Sequence, residues 1–149
     1  MLNQFGAPTA VAIMRADPVH EELRGKVWFI PSGNGTMVIA DISGLPESAT
    51  GFFGFHIHEG GNCEGEGFQN TGGHYDPAKL PHPSHAGDLP SLLSCQGSAY
   101  LAVLTDRFQV RDVIGRTVVI HSDPDDFGSQ PSGNAGAKIA CGVIRGATD

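Results

Sequence analysis

The chain predicts an all-β fold: an antiparallel sandwich or flattened barrel of about eight short strands, carrying two long functional loops. Three observations lead there. Ten prolines, spread from Pro8 to Pro131, and 21 glycines leave little room for long helices. Short apolar runs alternate with clusters of Pro, Gly, Asn and Asp, the punctuation of strands and turns. Most of the histidines gather in a long polar stretch rather than in the apolar runs, as expected when strands supply rigidity and loops supply chemistry. With 149 residues, 40% apolar and 17% charged, residues 1–149 are expected to form a single domain with one core.

Residues 8–16 (PTAVAIMRA), 25–30 (GKVWFI) and 35–43 (GTMVIADIS) read as the first three strands. In the third, Met37, Ile39 and Asp41 alternate with Val38, Ala40 and Ile42, close to period two. Residues 52–58 (FFGFHIH) make a fourth strand. A long stretch of low periodicity, 59–96, follows, and a connection of that length usually has a function. Residues 97–104 (GSAYLAVL) form the next strand, and 105–116 has room for one short helical turn. Then come a strand at 116–121 (RTVVIH), a second polar loop at 122–137 and a last strand at 138–145 (KIACGVIR).

Composition removes several function classes. A net charge of −7 argues against a nucleic-acid binder, which needs a basic face. No apolar run reaches the length of a membrane span, and MLNQFGAPTA lacks a charged-then-apolar signal, so no membrane association and a cytoplasmic location are expected, an exported form with a trimmed signal being the other reading. The sequon Asn34-Gly35-Thr36 is then a chance spelling. Cys63, Cys95 and Cys141 contain no CxxC pair, which disfavours a thiolate zinc knuckle. They leave two arrangements open: one disulfide with one free thiol, or three reduced thiols.

Five of the seven histidines, His56, His58, His74, His82 and His85, lie between Gly54 and Asp88, and His121 ends a later strand. Imidazole is a ligand that suits copper and zinc. In His56-Ile57-His58 the two rings point to one face of a strand, with Gly54, while Phe53, Phe55 and Ile57 point into a core. His58-Glu59 begins an HExxH spelling, but Asn62 stands where the second histidine would be and the stretch is glycine-rich, so a helical metalloprotease site is excluded. His74, His82, His85 and Asp88 together offer three nitrogens and one oxygen, a closed tetrahedral set suited to structural zinc. His20 has no partner in the sequence and reads as a surface residue.

GFHIHE, GGHYDP, HAGDLP, GRTVVIH and GNAGAKIACGVI, in this order across roughly residues 8–146, resemble the copper–zinc superoxide dismutase family. The resemblance implies a Greek-key version of the β-fold and dismutation of superoxide to oxygen and hydrogen peroxide. It implies copper on His56, His58, His74 and His121, and zinc on His74, His82, His85 and Asp88. His74 would bridge the two ions as an imidazolate. Asp125 would hydrogen-bond the outer nitrogens of one copper and one zinc histidine. Cys63 and Cys141 would form a disulfide closing a loop of about 78 residues, worth up to about 4.5 kcal/mol by loop-closure entropy. Cys95 is left as a buried or semi-buried free thiol.

Two departures from the family pattern stand out. Lys138 occupies the place of an arginine three residues before the second disulfide cysteine, and is expected to attract the anion as a point charge, in a catalytic role beside His74. Only Pro83 and Ser84 separate His82 from His85, a shorter gap than usual in the family. The loop 122–137 carries Asp123, Asp125 and Asp126 and no Lys or Arg, which predicts poor long-range steering of an anion. The rival reading is a non-catalytic copper- or zinc-binding module of the same fold; retention of all four copper positions favours the enzyme. A homodimer is compatible with the apolar strands, because strands facing a core and strands facing a partner read alike.

Overall fold

Alternation of side chains along extended backbone is what turns the apolar runs into a sheet with a filled inner face. A computed structural model describes residues 6–147. The N-terminal stretch read for an export signal begins in Met1–Phe5, outside the described residues. Among the described residues the strands are β1 Ala10–Ala16, β2 Arg24–Ser32, β3 Gly35–Ser43, β4 Phe52–Phe53, β5 Phe55–His58, β6 Leu92–Leu93, β7 Ala99–Thr105, β8 Thr117–His121 and β9 Lys138–Gly146, with one four-residue helix, α1, at Val110–Val113. Seven strands form one sheet in the order β5-β8-β9-β1-β2-β3-β7, and β4 pairs with β6 in a short ribbon. Every pairing is antiparallel. The sheet curls into a half-barrel whose strand order departs from chain order as a Greek key requires.

The inner face is apolar. Ala12, Val27, Phe29, Val38, Ala40, Phe55, Ile57, Val118, Ile120 and Ile144 are all buried in one cluster with Phe53 and Leu92 of the ribbon. In β3, of the two alternating sets, Val38, Ala40 and Ile42 are buried, and Asp41 of the other is exposed. Ile39, on the other face, is buried as well; its ladder partner is the half-buried Trp28.

The strand expected at 52–58 is two strands. The break falls at Gly54, whose N–H donates to the Asp123 carbonyl (2.9 Å) and whose carbonyl accepts from the His121 N–H (2.8 Å). The loop after β8 thus captures the backbone of Gly54, so Phe52–Phe53 pairs with β6 while Phe55–His58 pairs with β8. The side chains keep their parity: Phe53, Phe55 and Ile57 are fully buried in the core cluster. The stretch 59–96 is less irregular than its sequence suggests. It contains short 3-10 turns at Glu66–Thr71 and the ribbon strand β6. No helix among the described residues is long and apolar enough to cross a membrane.

Candidate metal centre

β5 presents His56 and His58 on the face opposite Phe55 and Ile57, in register with Val119 and Thr117 of β8. His121 ends β8 where the ladder to β9 slips between Ile120 and His121. A bulge of this kind re-aims a side chain, and here it leaves His121 opposite Lys138. The other edge of β5 is covered by the long loop. Single bridges join His58 to His74 and His56 to Asp88. Ile57 donates its N–H to the Gly87 carbonyl (2.9 Å) and accepts at its own carbonyl from the Tyr75 N–H (2.8 Å). Gly87 is required by space: a Cβ there would run into the carbonyl of Ile57. Backbone pairing alone therefore brings His74 and Asp88 beside the two strand histidines.

Two sets of donors result. One ligand atom from each of His56, His58, His74 and His121 lies within 4.8 Å of the others, and the same holds for His74, His82, His85 and Asp88. The His74 ring belongs to both sets, with centroid distances of 4.0 Å to His56, 4.9 Å to His58, 6.3 Å to His121, and 5.2 Å to each of His82 and His85. All these side chains are buried. The two-residue gap between His82 and His85 does not keep their rings apart; their centroids are 5.5 Å from each other.

Hydrogen bonds on the outer nitrogens fix which inner nitrogens carry lone pairs. His56 Nε2 and His82 Nε2 each lie 2.7 Å from one oxygen of Asp125. A carboxylate only accepts, so both rings carry hydrogen on Nε2 and keep Nδ1 bare. His58 Nδ1 donates to the Gly72 carbonyl (2.8 Å) and His121 Nδ1 to that of Gly136 (3.3 Å), which leaves both Nε2 atoms bare and 3.2 Å apart. His56 Nδ1, His74 Nε2 and His82 Nδ1 are buried without a hydrogen-bond partner. His82 Nδ1 faces Asp88 Oδ2 at 3.1 Å, and His74 Nδ1 faces Asp88 Oδ1 at 2.8 Å and His85 Nδ1 at 3.2 Å. Buried lone pairs aimed at one another cost free energy unless a proton or a cation stands between them. The donor chemistry fits a borderline cation at each set.

Electrostatics favour the ligand forms. Burial pushes His56 below the usual imidazole range despite its hydrogen bond to Asp125, and pushes His58 well below it. His121 is lowered to about 3, chiefly by burial and by the neighbouring His56. These rings are neutral near pH 7 and free to coordinate. Burial alone would raise Asp125; the hydrogen bonds from His56 and His82 outweigh it and hold the carboxyl far below the carboxylate range. Asp88 is lowered in the same way, with His74 as the main opposing partner.

Lys138 reaches the same corner. Its Nζ donates to Thr71 Oγ1 (2.7 Å) and to the Gly72 carbonyl (3.1 Å), the carbonyl that also holds His58. Cys63 and Cys141 form a disulfide spanning 78 residues, which ties the start of the long loop to β9. Two expectations are corrected. Cys95 is exposed, because its turn closes on itself through a Cys95–Ser98 bridge rather than packing inward. His20 has a partner: Asp17 Oδ1 lies 2.7 Å from its Nδ1 and also accepts from the N–H groups of Val19 and His20, the geometry of an Asp-capped turn. Sequence reasoning missed Thr71, Arg107 and Gln130. Arg107 Nη1 donates to the carbonyls of Pro83 (2.7 Å) and His85 (3.1 Å). Gln130 pairs with the backbone of His82. Each is an ordinary polar residue far along the chain from its partner, and no local pattern marks it.

Comparison with known proteins agrees with this geometry. Residues 23–144 match the family model of copper/zinc superoxide dismutase. The chain is 36% identical to superoxide dismutase [Cu-Zn] 2 of Aquifex aeolicus, over 83% of this chain and 80% of that protein. It is 36% identical to superoxide dismutase [Cu-Zn] of Deinococcus radiodurans, over 95% and 86%. It is 38% identical to the extracellular superoxide dismutase [Cu-Zn] of Caenorhabditis elegans, over 87% and 64%. A buried ring shared by two donor sets, a curled antiparallel sheet and matches of this extent lead to one conclusion: the chain belongs to the copper/zinc superoxide dismutase family.

Proposed function

We propose that this enzyme, an oxidoreductase, dismutates superoxide with copper held by His56, His58, His74 and His121 and zinc held by His74, His82, His85 and Asp88. The observation that carries the reading is the His74 ring. It offers a bare, unpartnered Nε2 to the first set and Nδ1 to the second. An imidazole using both nitrogens as donors is an imidazolate, and two cations make that charge affordable in a buried place.

Copper bound by the first set would supply the one-electron redox chemistry for converting two superoxide ions and two protons into one oxygen and one hydrogen peroxide, and zinc bound by the second set would supply a fixed positive charge. The chain's own residues do the rest. His56 is held in orientation by Asp125, and His58 and His121 by the carbonyls of Gly72 and Gly136. His74 Nε2 is the atom able to take up a proton and hand it to the product, while Nδ1 stays engaged with the Asp88 side. Lys138, opposite His121 and pinned by Thr71 and Gly72, places an ammonium where an anion approaches the first set. It attracts as a point charge, without the two-pronged geometry of an arginine.

The test is reconstitution. Protein loaded with one copper and one zinc is expected to show a tetragonal copper resonance with nitrogen coupling and to dismutate superoxide. Copper with a typical nitrogen resonance but no dismutation would leave only the non-catalytic metal-binding module.

A further inference from the structure

The loop 122–137 grips His82 twice. Asp125 takes the Nε2 hydrogen of its ring (2.7 Å). Gln130, five residues on, takes its backbone: the His82 N–H donates to Gln130 Oε1 (3.0 Å), and Gln130 Nε2 donates to the His82 carbonyl (2.7 Å). A primary amide offers one acceptor and donors in one plane, so Gln130 pairs with His82 as a neighbouring strand residue would. The same Nε2 also donates to the Gly128 carbonyl (3.2 Å), which ties the clasp back into its own loop.

The need for a clasp lies in the spacing. β5 and β8 hold His56, His58 and His121 by ladder hydrogen bonds, and backbone bridges to β5 hold His74 and Asp88. His82 is on neither edge. The segment after it is anchored by Arg107 at the carbonyls of Pro83 and His85 and by the His85 N–H to Asp88 Oδ2 (2.9 Å). None of these bonds reaches His82 itself. With only Pro83 and Ser84 before His85, a shift of the His82 backbone has little chain in which to dissipate, and would move its Nδ1 away from the shared donor set.

We propose that Gln130 is a positioning residue for the zinc set: its amide fixes the backbone of His82, so that the loop 122–137 sets both ends of this ligand. This rests on the zinc assignment above. It gives the exposed tip of that loop a part in zinc retention, through His82.

The experiment uses full-length protein carrying copper, with zinc or cobalt(II) in the second set. Gln130→Leu is expected to lower zinc affinity about tenfold in chelator competition, the lower end of what loss of an outer support costs. The visible bands of the cobalt form are expected to shift, while the copper resonance stays as in the parent. Gln130→Glu, which keeps the acceptor and loses the donor, falls between. Because Gln130 is exposed, the metal-free thermal midpoint should be little changed. Parental zinc affinity and cobalt spectrum in Gln130→Leu overturn the proposal, and so does a fall in the metal-free midpoint that fully accounts for the zinc loss. Failure of the parent protein itself to bind zinc would instead refute the zinc assignment.

Discussion

The two halves of the metal centre are built by different means. His56, His58 and His121 stand on β5 and β8, where each ring position is set by a ladder of backbone bonds and by the fully buried Phe55, Ile57 and Ile120 behind it. His82 and His85 stand in a loop, and side chains from elsewhere hold them: Asp125, Gln130 and Arg107. His74 and Asp88 lie between the two modes, in the loop but bridged to β5. The comparison teaches that a strand-borne ligand is protected by the core, whereas a loop-borne ligand is only as well placed as its clips.

The largest effect that breaks this contrast is loss of the disulfide. Replacing Cys63 and Cys141 by Ser removes the tie between the long loop and β9. Stability should fall by up to about 4.5 kcal/mol, and zinc should be lost before copper, as followed by denaturation and metal analysis. Equal loss of both ions would erase the distinction.

Asp125→Asn tests both halves with one residue. The amide accepts from one ring, but its NH₂ meets the N–H of the other. Metal affinity should drop about 10- to 100-fold, more for zinc than for copper, because His56 keeps its strand and His82 loses half its support. Competitive chelation of each ion measures the ratio.

Acid sharpens the strand side. In the metal-free protein the folded values of His56, His58 and His121 lie below the unfolded value of 6.5. Between the two the unfolded chain binds more protons, so stability is present above about pH 6.5 and is lost as pH falls toward the folded values. His121 alone, at about 3, contributes a slope of up to about 1.4 kcal/mol per pH unit in that window. Asp88 and Asp125 add to the loss only below the ordinary carboxylate range. Denaturation midpoints that stay flat from pH 7 to 5 would contradict this.

The smallest effects concern the approach of the anion. Lys138→Ala should reduce the dismutation rate severalfold and Lys138→Arg should retain it. Burial lowers the lysine, so in the parent the rate should decline at a pH below that of an ordinary lysine, and the arginine variant should resist that decline. Added salt should change the parent rate only weakly, since Asp123 and Asp126 in the neighbouring loop offset the lysine at long range. A steep fall with salt would show that steering is stronger than these charges allow.

Much of the strand side was legible in advance. The HxH spacing places two rings on one face whatever the rest of the chain does, and Phe53, Phe55 and Ile57 mark the opposite face as core. The loop side was legible as an inventory, three histidines and an aspartate, and through family resemblance as a ligand set. Its supports were not. Thr71, Arg107 and Gln130 look like surface residues until the chain folds, and the break at Gly54 appears only once the loop after β8 competes for its backbone.

The sequence by itself determined the long strands, the identity of the candidate ligands and their grouping along the chain, because side-chain parity and ligand chemistry are local properties. Only the tertiary structure decided that the long loop pairs with the free edge of β5, that this pairing brings His74 and Asp88 beside the strand histidines, and which side chains clip His82 and His85. Those outcomes depend on hydrogen bonds between residues far apart in the chain, whose partners are chosen by which edges and carbonyls remain free after the sheet has formed.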